Sequence, residues 1–193
     1  MSSTIALRER KKNATKAALS NAALDLADRH GLAQLRIEDI AEQAGVSLRT
    51  FRNYFANKEA AVVGLLTHNY DLVIDGLRKR PSDEEIWVAL AHACKALYPT
   101  DPDRSWVRRM RLLRAEPALT AEKYRAEAMI LDTLAEEIAR RNDGRTGAAV
   151  YPRLVAEITQ AALRAAIDYW LDAPNAAPLR EVVWGFISKI RIE

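Results

Sequence analysis

The sequence predicts an all-α protein of about nine helices, and three observations lead to that prediction. Glycine and proline interrupt helices and number only seven each among 193 residues, whereas the helix formers alanine and leucine are abundant. Apolar side chains recur at three- and four-residue spacing in most segments. No stretch alternates apolar and polar positions with β-branched side chains, so we expect no sheet.

The first predicted helix covers about residues 13–30 and follows a basic segment. Its apolar face is formed by Leu19, Ala22, Ala23, Leu26 and Ala27. Gly31 ends it. The basic residues, opposed only by Glu9, are Arg8, Arg10, Lys11, Lys12 and Lys16. Such a segment is either a solvated tail or a nucleic-acid contact, and both readings stay open.

Two short helices come next in the sequence. The first has apolar positions over residues 37–41 and ends at Gly45, since a turn glycine can adopt a left-handed backbone. The second starts after the N-cap residue Ser47, reaches about Phe55 and should be anchored by Phe51. Two short helices joined by a tight turn form a helix-turn-helix.

The remaining helices predict a bundle. Asn57 caps a helix that ends near Pro81, and Ser82 with Glu85 forms a capping box for the helix after it. Further helices are predicted over about residues 104–115, 119–141, 149–172 and 179–191. Turn residues that separate the last three are Asn142, Asp143, Gly144, Pro174 and Pro178.

Composition and motifs exclude several classes of protein. No apolar run approaches the ~18 residues of a membrane span, and the polar, basic first residues do not resemble a secretory signal. The single Cys94 fits a reducing compartment, so we expect a cytoplasmic protein. The chain lacks a nucleophile elbow, a phosphate loop, paired carboxylates and metal-ligand spacing. We therefore expect no enzyme activity, no cofactor and no metal site.

The second helix of the helix-turn-helix has side chains suited to DNA. An α-helix fits the major groove, where Arg, Asn and Thr read base edges, while Tyr and Lys suit phosphates. The first turn of the following helix adds main-chain N–H groups for another phosphate. The candidate DNA-binding residues are Arg36, Ser47, Leu48, Arg49, Thr50, Arg52, Asn53, Tyr54 and Lys58.

Residues 10–62 resemble the DNA-binding domain of TetR-family transcriptional regulators. The similarity lies in "NATKAALSNAALDLADRHG" and "IEDIAEQAGVSLRTFRNYFANKEA". It implies that Thr50 and its neighbours face bases, that Tyr54 meets the DNA backbone and that Lys58 clamps a phosphate. On this basis we place a DNA-binding domain over residues 1–60 and a ligand-binding, dimerising domain over 61–193.

Four residues differ from the family pattern, namely Ala27, Arg36, Glu38 and Arg52. Arg36 and Arg52 would add phosphate contacts, so the operator sequence stays open. In the C-terminal half, a second similarity links the chain to a subgroup associated with acyl-CoA and mycofactocin regulation. It lies in "PSDEEIWVALAHACKAL" and "RSWVRRMRLLRAEP".

The resemblance implies an effector pocket in the C-terminal bundle. The candidate ligand-binding residues are Trp87, Cys94, Trp106, Arg108, Met110, Arg111, Tyr124, Met129 and Trp170. The arginines either form a solvated face or bind an anionic head group, such as the phosphates of an acyl-CoA. The apolar candidates either line a pocket or belong to an ordinary core.

The last two helices favour a homodimer. Small residues permit close helix approach and large ones supply contact area: Ala161, Ala162, Ala165, Ala166, Trp184 and Ile187. Burial within one chain is the alternative. The leading hypothesis is a repressor released from a palindromic operator on double-stranded DNA by a small, largely apolar effector, with an acyl-CoA as one candidate. An all-helical enzyme and a protein-binding adaptor are the alternatives.

Overall fold

The computed structural model describes residues 2–142, 150–173 and 177–191. This part of the chain contains nine α-helices, two short 3-10 helices and no β-strand, which confirms the predicted all-α class. The α-helices are α1 (Ser2–His30), α2 (Ile37–Gln43), α3 (Leu48–Tyr54), α4 (Lys58–Arg78), α5 (Ile86–Lys95), α6 (Arg104–Ala115), α7 (Thr120–Asn142), α8 (Val150–Asp172) and α9 (Leu179–Ile187). The 3-10 helices are Leu32–Gln34 and Pro117–Leu119. The predicted turn residues Asp143, Gly144 and Pro174 lie outside the described residues.

Local sequence signals set the ends of the first helices. Gly31 and Gly45 have φ angles of 80° and 67°, a left-handed conformation that glycine adopts without a steric penalty. Oγ of Ser47 and Oδ1 of Asn57 each accept a hydrogen bond from the main-chain N–H three residues later, at 3.1 and 2.6 Å. Both predicted stops and both predicted N-caps are confirmed.

The first helix is longer than the sequence predicts. α1 begins at Ser2 rather than near residue 13, so the basic segment is helical. That segment contains neither glycine nor proline, and its arginines and lysines are good helix formers. The apolar periodicity begins only at Leu19, the first fully buried residue among the α1 side chains that the structure describes, and therefore marks the packed half of α1 alone.

The helix after Pro81 begins later than its predicted capping box. Glu85 is itself the N-cap of α5, and its carboxylate accepts a hydrogen bond from the main-chain N–H three residues later at 3.0 Å. Ser82 does not open the helix, so the predicted capping box is wrong. An ion pair between Arg80 and Glu84 holds the preceding residues in a turn instead.

The described chain forms two compact units. The first contains the residues up to His68 together with Arg108–Ala126, and the second contains Asn69–Val107 and the residues from Glu127 onwards. This division differs from the single boundary expected at residue 60, because residues 108–126 pack within the first unit. One contact of this kind is the hydrogen bond from Asn57 Nδ2 to Glu122 Oε1, at 3.0 Å. α4, α6 and α7 each contribute residues to both units.

The core of the second unit includes the inner faces of α5, α8 and α9. Ala166 and Ile187, which the sequence suggests for a dimer interface, are fully buried in this core. For these two residues, burial within one chain is therefore the correct alternative. Trp184 is half-buried, and its ring centroid lies 4.7 Å from that of His92 in the same unit.

Gly64 marks a close crossing of α4 over α1. A Cβ atom at this position would lie 2.4 Å from Oγ of Ser20 and 2.8 Å from the ring of Phe55. We expect Gly64→Ala to lower the free energy of unfolding. With contacts below 3 Å to two side chains, the overpacking cost should lie in the upper part of the typical range of about 1–3 kcal/mol and exceed the helix-propensity gain of about 1 kcal/mol. Urea denaturation monitored by circular dichroism measures the change.

The Ser20→Ala background supplies the control for that prediction. Ser20 Oγ is buried with no hydrogen-bond partner among the described residues, so removing it costs no described contact and opens space. Gly64→Ala should then cost less than it does in the native background, with a coupling of about 0.5 kcal/mol or more. If the stability changes of Ser20→Ala and Gly64→Ala are strictly additive, the two positions are not in steric contact.

Candidate nucleic-acid interface

One face of α3 is fixed to the protein. Its N-terminus is capped by Ser47, whose Oγ also lies 2.9 Å from Oγ1 of Thr50. Phe51, near the middle of the helix, is 0% exposed, and its ring centroid lies 6.0 Å from that of Phe55. A capped helix with a buried aromatic anchor holds its outer side chains in a defined position.

The opposite face of α3 is open to solvent. Arg49, Arg52 and Asn53 are exposed, and so is the capping Ser47. The other three candidates on this helix are half-buried: Leu48, Thr50 and Tyr54. Arginine and asparagine make bidentate hydrogen bonds to guanine and adenine edges in the major groove. This surface therefore has the side chains and the exposure that base reading requires.

Arg36 lies at the start of α2, where it is the N-cap residue but makes no capping hydrogen bond through its side chain. Its side chain is 71% exposed, and its Nε lies 3.8 Å from a carboxylate oxygen of Glu38. An exposed, loosely paired arginine beside the first turn of a helix is well placed for a phosphate contact.

A polar cluster joins α1, α2 and α6 within the first unit. Asp25 accepts hydrogen bonds from Arg109 at 2.7 Å, from Arg29 at 2.8 Å and from Gln43 at 3.1 Å. Burial raises the pKa of Asp25, but the hydrogen bonds from Arg109 and Gln43 and the charge of Arg29 outweigh it and hold the pKa below its ordinary value. The cluster fixes the helix that precedes α3, and sequence reasoning missed it.

A second ion pair, between Arg108 and Asp28, also joins α1 to α6. Arg108 donates from Nε and Nη2 to both carboxylate oxygens of Asp28, at 3.0–3.2 Å. The Asp28 side chain is 7% exposed. Bidentate arginine–carboxylate pairs combine charge with fixed geometry. A sequence pattern could have indicated these contacts. Asp25 and Asp28 lie three residues apart on α1, and their partners Arg109 and Arg108 are adjacent on α6.

Lys58 has a different role from the one expected. Its ammonium group donates hydrogen bonds to the main-chain carbonyls of Leu32, Ala33 and Leu35, at 2.9, 3.3 and 3.1 Å. An ammonium group has three hydrogens, and these contacts use all of them. Lys58 therefore ties the first turn of α4 to the segment after α1, and we remove it from the proposed set of phosphate contacts.

We expect Lys58→Met to reduce stability rather than to alter the ionic part of DNA binding. The loss should be about 1.5–3 kcal/mol, the range for hydrogen bonds to charged groups. The slope of log K for DNA against log salt should stay within experimental error. Urea denaturation measures the change in stability, and a salt titration of DNA affinity measures the slope. A slope that falls by about one unit, with stability unchanged, would restore the phosphate contact.

The nine candidate effector residues do not form one group. Trp106 and Trp170 meet edge to face with centroids 5.9 Å apart, and Tyr98 joins them at 6.4 Å from Trp106. Trp87 and Cys94 are buried in the core of the second unit. Burial raises the pKa of the Cys94 thiol to about 12.

The remaining candidates lie elsewhere. Met110 is buried in the first unit, so it is not part of the core around Trp87 and Cys94. Tyr124 and Met129 are 67% and 71% exposed and do not line an interior pocket, because their α7 positions face solvent. Arg108 is held by Asp28, and Arg111 is exposed.

Two further findings concern metals and membranes. Among the described residues, no group of three or more histidine, cysteine or acidic side chains is placed to hold a metal ion. No α-helix within the described ranges is both long and apolar enough to span a bilayer.

Comparison with known proteins assigns the family. A model of the N-terminal domain of the bacterial regulatory proteins of the tetR family matches residues 19–62. A model of the MftR C-terminal domain, also a TetR-type domain, matches residues 84–191, more than half of the chain. The chain belongs to the TetR family. This confirms the resemblance found in the sequence, and the protein is a DNA-binding transcriptional regulator rather than an enzyme.

Several curated transcriptional regulators are similar to this protein. A protein of Mycobacterium tuberculosis, named as the mycofactocin biosynthesis regulator MftR, is 28% identical over 165 residues, which cover 84% of this chain and 82% of that protein. TcmR of Streptomyces glaucescens is 28% identical over 172 residues, 85% of this chain and 76% of its own. RutR of Escherichia coli is 37% identical over 75 residues, 39% of this chain and 35% of its own.

Solved structures share the TetR-family fold. A transcriptional regulator from Rhodococcus sp. Rha1 has a TM-score of 0.55 at 20% identity, covering 89% of this chain and 93% of its own. The fatty acid degradation regulator FadR from Bacillus halodurans has a TM-score of 0.56 at 19% identity, covering 89% and 92%. At these identities the comparisons show the fold alone.

Proposed function

We propose that the protein is a homodimeric repressor in the cytoplasm that binds a palindromic operator and releases it when a small, largely apolar effector binds. The observation that carries the proposal is the α3 surface, where Arg49, Arg52 and Asn53 face outward from a helix anchored by Phe51. Two such surfaces related by a two-fold axis read half-sites about one helical turn apart, or a multiple of it.

A stripe on α8 and one aromatic on α9 support the dimer. Leu154, Ala161, Ala165 and Tyr169 are exposed and recur at helical spacing. Phe186 is also exposed, and its ring centroid lies 5.8 Å from that of Tyr169. Small residues flanked by exposed aromatics suit close packing of α8 and α9 against a second copy. Ala161 and Ala165 belong to the dimer surface that the sequence suggests, whereas the buried Ala166 and Ile187 do not take part.

The aromatic cluster of Tyr98, Trp106 and Trp170 supports an apolar effector. Large aromatic side chains with few polar groups suit an acyl chain. Because Arg108 is bound to Asp28, we assign most of the affinity to the apolar part of the effector.

α6 supports a route from effector to DNA. Trp106 belongs to the aromatic cluster, and two residues later on the same helix Arg108 binds Asp28 of α1. A helix is stiff over one turn, so an effector that displaces Trp106 also displaces Arg108. A ligand changes DNA affinity only through its differential affinity for two states. A coupling of about 1–3 kcal/mol corresponds to a change of about 5- to 150-fold.

An anisotropy titration tests the repressor proposal. An operator obtained by in vitro selection is titrated with protein in the presence of palmitoyl-CoA or of CoA alone. We expect palmitoyl-CoA to lower operator affinity about 5- to 150-fold and CoA to have little effect. By reciprocity, operator must weaken palmitoyl-CoA binding by the same factor. If palmitoyl-CoA binds equally well with and without operator, it is not the effector and release by an acyl-CoA is wrong.

The Arg108→Ala variant tests the proposed route through α6. Removing the pair with Asp28 should leave palmitoyl-CoA affinity for the DNA-free protein within about twofold, while it reduces the ligand's effect on DNA affinity. Lys95→Ala serves as a matched control, since Lys95 pairs with Glu181 entirely within the second unit. If palmitoyl-CoA lowers the DNA affinity of Arg108→Ala as much as that of the wild-type protein, this route is excluded.

A further inference from the structure

The first turns of α1 form an exposed basic surface. Leu7, Arg8 and all residues from Arg10 to Ala14 are exposed, so this part of the helix does not pack against the protein. Among the first 24 residues the only acidic one is Glu9, against five basic residues. A helical segment whose described side chains are exposed and that concentrates positive charge suits contact with a polyanion.

The basic residues lie mostly on one side of α1. Successive residues of an α-helix are about 100° apart. Arg8, Lys11, Lys12 and Lys16 therefore fall within an arc of about 140°, which we call the basic ridge, whereas Arg10 points about 160° away from Arg8. Thr15 lies within the same arc, and its hydroxyl donates to the carbonyl of Lys11 at 3.0 Å.

The C-terminal end of the basic ridge, at Lys16, lies close to the end of α3. The contacts around Gly64 place Ser20 of α1 next to the ring of Phe55, the residue directly after α3. Lys16 is one helical turn before Ser20, and Arg8 is about 12 Å further along the axis. All of these residues belong to the first unit. A duplex held by α3 thus has phosphates within reach of the ridge.

We propose that the basic ridge binds phosphates of the DNA duplex flanking the half-site that α3 reads. This inference rests on the proposed function, because it needs α3 to hold DNA. Lysine and arginine bind phosphates as charges without reading bases. The ridge therefore lengthens the bound segment and strengthens binding to operator and to unrelated DNA by the same factor. In this proposal the basic segment is a nucleic-acid contact rather than a solvated tail.

Salt dependence of DNA affinity tests the ridge. The test variant carries Arg8→Gln, Lys11→Gln and Lys12→Gln, since glutamine removes charge but keeps helix propensity. The charge-matched control carries Arg10→Gln, Lys79→Gln and Lys189→Gln, three exposed positions off the ridge. Affinity for a 30-base-pair duplex of random sequence and for the selected operator is measured from about 50 to 300 mM salt.

Each phosphate contact contributes about 0.9 to the slope of log K against log salt. We expect the slope of the test variant to fall by about 2.7 on both duplexes, and that of the control by less than one. Equal slopes in the two variants would overturn the proposal, as would a loss confined to the operator. If the wild-type protein bound neither duplex, the proposed function itself would be wrong. If the wild-type protein binds and the test variant keeps its slope, only the ridge is wrong.

Discussion

The Phe51→Ala variant is expected to lose DNA binding because the first unit loses its anchor for α3. Phe51 is 0% exposed and lies next to Phe55. Truncating a buried phenylalanine to alanine typically costs about 3–5 kcal/mol, through lost burial and the cavity left behind. That is a large fraction of the stability of a small domain. Thermal unfolding and anisotropy with random duplex measure the two effects.

Arg52→Ala, one residue away, is the matched control. Arg52 is exposed, so its stability should change by less than about 0.5 kcal/mol while DNA affinity falls. Comparing Phe51→Ala with Arg52→Ala separates a loss of folding from a loss of contact with DNA. A Phe51→Ala protein with native stability and full DNA affinity would show that α3 is held by other residues.

The double variant Tyr169→Glu, Phe186→Glu is expected to be monomeric. Both rings are exposed and in contact, and two carboxylates there would place four like charges in a two-fold interface. Losing the dimer makes the two half-sites independent. The avidity of paired binding is about 10²- to 10⁴-fold, so operator affinity should fall by that order. Sedimentation velocity and operator titration measure both effects.

The control for this variant is Tyr124→Glu, Met129→Glu. These α7 side chains are also exposed and apolar, so the change in charge and hydrophobicity is similar. The control protein should stay dimeric and keep its operator affinity. A Tyr169→Glu, Phe186→Glu protein that remains dimeric would move the interface away from the α8 and α9 surface.

Features encoded within one helical turn could be read from the sequence. Gly31 and Gly45 stop helices because a left-handed residue is needed there, and Ser47 and Asn57 cap helices through contacts three residues away. The exposed face of α3 followed from the position of Phe51. The start of α1 was missed because charged helix formers produce no apolar periodicity.

Contacts between distant residues could not be read in this way. Asp28 and Arg108 are 80 positions apart, and Lys58 donates to carbonyls more than twenty residues earlier. Nothing in the local pattern distinguishes Lys58 as a main-chain contact from Lys58 as a phosphate contact. Similarly, the apolar pattern of α9 does not tell whether Ile187 meets its own chain or a second copy, and only the packing of α5, α8 and α9 decides it.

The claim that α3 reads DNA sequence is tested most directly by the specificity ratio of Arg49→Ala. The ratio of affinities for the selected operator and for random duplex is measured at one fixed salt concentration, for wild type and variant. Because Arg49 is exposed on the reading face, we expect a loss of about 1–3 kcal/mol on the operator and a much smaller one on random duplex. The ratio should thus fall about 5- to 150-fold. Equal losses on both duplexes would contradict base reading by α3.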